Sequence, residues 1–204
     1  MAIGKKIVSA AFMAFALLAV LGGKVGAAQC GNGSGGFETW KQEFAAEARG
    51  KGIGASAIAA LMQTNYASAT ISADRSQRGN QNMLSSIASL AYDCRRPEFF
   101  TEQLTAALKL VDRGVLSGAT RGSMHGEVGQ TQFMPKNILA YGTGNLDVAA
   151  NALNSTANFL RAHGWRAGAG YQPGEPNFAA IEAWNAAGVY QKAIAIMGRQ
   201  IDGE

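Results

Sequence analysis

Along most of the chain apolar residues recur at intervals of three and four, the period that aligns them on one face of an α-helix. Phe37, Trp40, Phe44 and Ala48 form the first such stripe. Ser56 is placed to cap a second helix carrying Ile58, Leu61 and Met62. From Asn82 the run MLSSIASLAY sets Met83, Ile87 and Leu90 or Ala91 on a buried face. Pro97, suited to a first helical position, opens PEFFTEQLTAALKLVDRG, where Phe100, Leu104, Ala107, Leu108 and Val111 share a stripe that stops at Gly114. Pro135 starts a short helix through Ala140, Asp147 is placed to cap VAANALNSTANFLRAHG, and Asn177 to cap FAAIEAWNAAGVYQKAIAIMGRQ. No segment alternates as a strand would, so the expected fold class is all-α, and plentiful alanine and glycine suit closely packed helices. There is no internal repeat, and Ala167 to Pro176 reads as a loop between helices.

The first 28 residues, MAIGKKIVSAAFMAFALLAVLGGKVGAA, run from lysines through an apolar stretch to small residues, the order of a secretory signal peptide cleaved near Ala28. No later run is apolar enough to span a bilayer. A lipid anchor on Cys30 would want a small residue before it, where Gln29 stands. The expectation is an exported, periplasmic, soluble monomer: residues 1–28 the signal, 29–36 a flexible glycine-rich segment, 37–204 one domain. Of 18 basic residues three, Lys5, Lys6 and Lys24, lie in the leader, which leaves 15 against 14 acidic and a balance of +1. That balance argues against a nucleic-acid partner. Cys30 and Cys94 are expected to form a disulfide tying the N-terminal tail to the core. They show no metal-ligand spacing with His125 or His163, so neither metal nor cofactor is expected.

The densest chemistry lies in GSMHGEVGQTQFMP, Gly122 to Pro135. Glycines at 122, 126 and 129 let backbone approach a ligand, and the carboxamides of Gln130 and Gln132 both donate and accept hydrogen bonds. Such groups suit a neutral ligand rich in hydroxyls and amides, such as a sugar. The plain alternative is a loop entering a helix at Pro135.

GQTQFMP, taken with IASLAYDCRRPEFF, ANFLRAHGW and EAWNAAGVYQKAIAIM, resembles the lytic murein transglycosylases of the MltB-like type; the four motifs occur in family order, and the likeness covers most of the chain from Phe37 to Ile201. The resemblance implies a shortened lysozyme-like helical domain. It also implies cleavage of the MurNAc–GlcNAc linkage of peptidoglycan without water, leaving 1,6-anhydro ends. In that family one glutamate serves as acid and then base, and the substrate's acetamido group replaces a second carboxylate. Ser123, Gln132, Phe133, Met134 and Pro135 match the substrate-cleft motif, with Gln132 expected to bond the sugar, and Asn185 and Tyr190 match a C-terminal cleft motif. Peptidoglycan strands are the implied partner, along with cell-wall machinery.

The chain departs from the family where the catalytic glutamate belongs, ahead of IASLAYD. SADRSQRGNQNMLSS stands there, with no acidic residue between Asp74 and Asp93, as if a piece were missing near Arg78 and Gly79. A smaller shortening in YGTGNLDVAAN removes the reason to expect calcium. Glu127 is the candidate replacement acid. The resemblance, however, places a glutamate at this position in relatives that also carry the catalytic one, which makes it a supporting residue. Two functions therefore stand: a peptidoglycan lyase working through Glu127, or a non-catalytic glycan-binding remnant. The missing piece also raises the prospect of a core that does not close. Elsewhere, Arg95 and Arg96 are expected to form ion pairs or cap carbonyls, and His163 to sit at a helix C-terminus.

Overall fold

The computed structural model describes residues 28–31, 33–68, 80–94 and 96–203. The leader up to residue 27, Asp74, the junction at Arg78 and Gly79, and Arg95 lie outside the described residues.

After a 3-10 turn at Ser34–Gly36, helix α1 (Phe37–Gly50) buries Phe37, Trp40, Phe44 and Ala48, the stripe that the spacing predicts. Helix α2 (Ala55–Met62) starts one residue before Ser56, with Gly54 as its N-cap and no side-chain cap bond. A Cβ on Gly54 would come within 2.2 Å of the Asp112 carboxylate, so close packing rather than a capping hydroxyl sets this start.

Lys41 is a buried cation on α1. Its Nζ donates to Met62 O at 2.9 Å and Thr64 O at 2.7 Å, and pairs with Glu38 at 2.9 Å. The ammonium thus satisfies carbonyls that the end of α2 leaves without helical partners. Lys41→Met is expected to unpair them and lower stability by about 2–4 kcal/mol in urea melts, more than an exposed ion pair would account for.

The central element is α3 (Met83–Tyr92), in which every residue is buried rather than one stripe alone. Its polar positions serve the neighbouring chain: Ser85 Oγ accepts Asn65 N–H at 3.3 Å, Ser89 Oγ accepts Ala67 N–H at 2.8 Å, and Ser89 donates to Ser85 O at 2.7 Å. Asn82 caps the helix, accepting Ser85 N–H at 2.9 Å. Immediately before it, β1 (Gln81–Asn82) pairs antiparallel with β2 (Arg121–Gly122). The all-α expectation holds with this two-residue ladder added, which is too short to appear as alternation in the sequence. This ladder fastens the Gly122 segment to the front of α3.

Helix α4 (Pro97–Asp112) has Pro97 in its first turn as predicted and packs against α2 and α3. Arg96 lays its guanidinium over the Phe99 ring, 4.3 Å from the centroid, a cation–π contact instead of the expected ion pair or carbonyl cap. Cys30 and Cys94 form the expected disulfide, Cα atoms 5.5 Å apart. It lies beside a cluster in which Phe37, Trp40, Tyr66 and Tyr92 meet edge-to-face or stacked.

Helices α5 (Pro135–Tyr141) and α6 (Ala149–Ala162) come next. Val148, not Asp147, is the N-cap of α6; Asp147 sits one residue earlier in the preceding turn, its N–H donating to Asn145 Oδ1 and its carbonyl accepting from Gln130 Nε2. At the far end of α6 the His163 ring bonds Phe159 O at 2.7 Å, as suits a helix C-terminus.

The C-terminal stretch is two helices, α7 (Phe178–Trp184) and α8 (Gly188–Asp202), broken at Asn185. Asn185 is extended, with φ −148° and ψ 123°, and its Oδ1 accepts Ala187 N–H at 2.9 Å. This local turn outcompetes the helical ladder. Asn177 makes no cap bond either. Wholly buried, it accepts Arg166 N–H at 2.8 Å and donates to Arg166 O and Ala169 O at 2.9 and 2.8 Å, pinning the loop that leads into α7.

Candidate functional site

The Gly122–Pro135 segment folds into two linked turns. Ser123 N–H bonds Glu127 O at 2.8 Å, and Val128 and Phe133 exchange N–H···O bonds at 2.9 and 3.0 Å. Gly126 and Gly129 hold φ of +86° and +77°, the left-handed region in which a side chain is costly. Space forbids one as well: a Cβ on Gly126 would lie 2.2 Å from Ile87 Cγ1 of α3, and on Gly129 2.3 Å from Leu146 Cβ. The loop is therefore pressed onto the core, with Phe133 1% exposed and its ring 5.2 Å from that of Trp184.

Against this loop opens a groove of about 970 Å³. Ser123, Gln132, Phe133, Met134, Asn185 and Tyr190 all line it, although the last two come from a distant segment. The break between α7 and α8 makes this convergence, since a continuous helix would leave Asn185 in a helical ladder. Gln132 is a non-glycine residue at φ +56°, a sparsely populated conformation kept where surrounding structure enforces it. Its Nε2 donates to Gly129 O at 3.2 Å and its side chain is exposed to the groove. Tyr190 is 39% exposed. Phe133 lines the groove from the core and offers it an apolar floor.

Among the described residues, Glu127 and Asp202 are the carboxylates lining the groove. Glu127 is half-buried, and its Oε2 accepts the Ser123 hydroxyl at 2.7 Å. Ser123 Oγ in turn accepts the N–H groups of His125 at 3.2 Å and Glu127 at 3.1 Å. With both lone pairs taken, the hydroxyl proton is directed at the carboxylate. Asp202 accepts the Tyr171 hydroxyl at 2.5 Å.

Trp165, Tyr171, Trp184 and Asp202 also line the groove; Trp165 and Trp184 stand in quoted motifs, but the sequence marks none of the four as a groove residue. Trp184 was hidden in the apolar period of α7. Trp165 closes the motif ANFLRAHGW without a role attached to it, and Tyr171 and Asp202 gave no signal beyond a glycine-rich loop and a position near residue 204.

The family model described as transglycosylase SLT domain, SLT_2, matches residues 75–174. The chain is 31% identical over 115 residues to membrane-bound lytic murein transglycosylase B of Escherichia coli K12, covering 48% of this chain and 32% of that protein. It therefore spans about a third of that relative's length. Among solved structures it resembles SltB3 from Pseudomonas aeruginosa in complex with NAG-NAM-pentapeptide, with TM-score 0.71 and 23% identity over 82% of this chain and 80% of that one. It also resembles the Escherichia coli lytic transglycosylase SLT35 in complex with calcium, with TM-score 0.53 and 21% identity over 80% and 71%. At these identities the likeness carries the fold, that of the lysozyme-like lytic transglycosylases.

Proposed function

We propose that this chain, which belongs to the SLT_2 lytic transglycosylase family, holds glycan strands of peptidoglycan in its groove. The observation that carries the proposal is the convergence of Gln132, Asn185 and Tyr190 over the apolar floor of Phe133 and Trp184. Carboxamides and a phenol match hydroxyl and acetamido groups, and the ring floor matches the C–H face of a pyranose. SltB3 was solved with a ligand of that chemistry. The basic-apolar-small order of the leader and the Cys30–Cys94 disulfide support a periplasmic location.

The fate of a bound strand turns on Glu127. In the lyase reading, Glu127 protonates the oxygen of the MurNAc–GlcNAc linkage while the MurNAc acetamido group assists its departure. The carboxylate then takes the proton of the MurNAc 6-hydroxyl as that oxygen bonds C1, closing the 1,6-anhydro ring. In the holding reading, Glu127 anchors the loop and no bond breaks. The Ser123 hydroxyl favours the second, because its bond engages Glu127 Oε2 as an acceptor inside the loop's own turn.

Sedimentation with purified sacculi, followed by mass analysis of the released fragments, tests both. The expected result is co-sedimentation without 1,6-anhydro fragments, and with binding unchanged within about twofold in Glu127→Gln, since glutamine also accepts the Ser123 proton. Anhydro fragments that vanish in Glu127→Gln would assign cleavage to Glu127. A protein that stays in the supernatant would overturn the proposal.

A further inference from the structure

Helix α8 sits on the domain along a narrow line. Gln191 and Ala195 are its buried residues, and the charged Lys192 and Arg199 stand beside that line, three and four residues from Ala195, rather than across from it. A surface helix ordinarily turns its apolar stripe inward and its polar face to water. On α8 the outward face is the apolar one. Val189 and Ile201 are 84% and 81% exposed, Ile196 and Met197 more than half, and Ala193 is exposed between them. Among the described residues nothing covers this face.

Spacing and extent say what fits it. Val189, Ala193, Met197 and Ile201 follow one another at intervals of four, which makes them a single ridge along the helix. Against an antiparallel copy of the same ridge, small Ala193 lies beside large Met197 and Val189 beside Ile201. A two-fold axis makes each of these contacts twice. Ridges of this spacing lie side by side in helix pairs that cross at about −50°, the commonest class in globular proteins. The exposed parts of the face amount to about 600 Å² on one copy, the top of the range for the largest apolar patch of a monomer. Pairing two copies buries about 1,200 Å², the lower end of the standard size for a specific interface.

We infer that α8 is a self-association surface, through which two copies of the chain pair by antiparallel α8 helices about a two-fold axis, where the sequence reading expects a monomer. Val189, Ala193, Ile196, Met197 and Ile201 all lie outside the groove lining, so the inference stands apart from what the groove holds.

Sedimentation equilibrium of the full chain over a range of concentrations tests it. Wild type is expected to pass from monomer to dimer with a Kd of about 1–100 µM, the weak end for specific interfaces. Met197→Glu sets two carboxylates near the two-fold axis and should weaken the dimer about 10-fold or more. Leu153→Glu, at an exposed apolar position on α6, should leave it unchanged. The substituted positions are exposed, so each variant should melt as wild type does. The register has its own test. Val189→Lys and Ile201→Glu should each weaken the dimer, and the two combined should restore it to within about threefold. The new charges stand about 18 Å apart along one helix and so meet only across the interface. A monomer at every concentration, a dimer that Met197→Glu leaves intact, or losses that the double variant does not restore would overturn the inference. An assembly driven by another part of the chain, the apolar leader included, gives the second of those results.

Discussion

Gly126→Ala is expected to cost about 2–5 kcal/mol of stability and to abolish sacculus binding together with it, taking ~1–2 kcal/mol for a left-handed backbone and ~1–3 for overpacking. The backbone part comes from φ +86°. The packing part comes from Ile87, whose Cγ1 would stand 2.2 Å from the new Cβ on an entirely buried helix. Neither partner yields cheaply, because α3 is packed on all sides and the loop is tied to it by the β1–β2 pair and by Met83 N–H on Thr120 O at 3.0 Å. Relief must come from the loop lifting off, which moves Glu127 and Gln132 out of the groove wall. A thermal melt together with sacculus sedimentation checks this. A variant that melts like wild type, or that melts early yet still binds sacculi at temperatures where it is folded, would show that the loop's seat on α3 does not shape the groove.

This coupling between loop and core explains which parts of the site are legible in the sequence. GQTQFMP and WNAAGVY point to groove residues because of a resemblance, and the structure places Gln132, Asn185 and Tyr190 in one groove. Periodicity alone misreads the C-terminal stretch: the apolar positions on both sides of Asn185 continue in helical step, and the break comes from an Asx turn that period does not register. The expected caps fail for a related reason. Ser56, Asp147 and Asn177 are all residues of capping type, but Gly54 begins α2 against Asp112, Asp147 sits one residue ahead of the N-cap Val148, and Asn177 gives its carboxamide to the 166–169 loop.

The stripes of α1 and α4 read well because each helix has a wet face, so hydrophobic spacing reports orientation directly. Helix α3 has no wet face. Ser85, Ser86 and Ser89 look like an exposed side in sequence, yet all are buried, and Ser85 and Ser89 take up the N–H groups of the 65–67 segment. The buried central helix also answers the concern that the shortened chain leaves no closed core: Met83, Leu84, Ile87 and Ala88 are fully enclosed by α1, α2, α4 and the site loop. Tyr171 is illegible as a groove residue for a different reason, since its loop is held to α8 only by tertiary contacts.

Cys30→Ser should produce a large loss of stability with the opposite functional result. Cys30 and Cys94 close 64 residues of chain, and a loop of that size restricts the unfolded ensemble by about 4 kcal/mol. For a domain of this size that corresponds to about 8–16 °C in melting temperature. The native contacts around the bridge would persist, since Gly31 N–H still reaches Tyr92 O at 2.9 Å and the Phe37, Trp40 and Tyr92 rings still pack. None of these residues lines the groove. Well below its melting point, Cys30→Ser should therefore bind sacculi as wild type does, whereas Gly126→Ala should not. Measuring both variants at a temperature where each is folded separates the residues that hold the domain together from those that shape its groove. Equal losses of binding in the two would mean that the groove depends on the N-terminal tie as much as on its own loop.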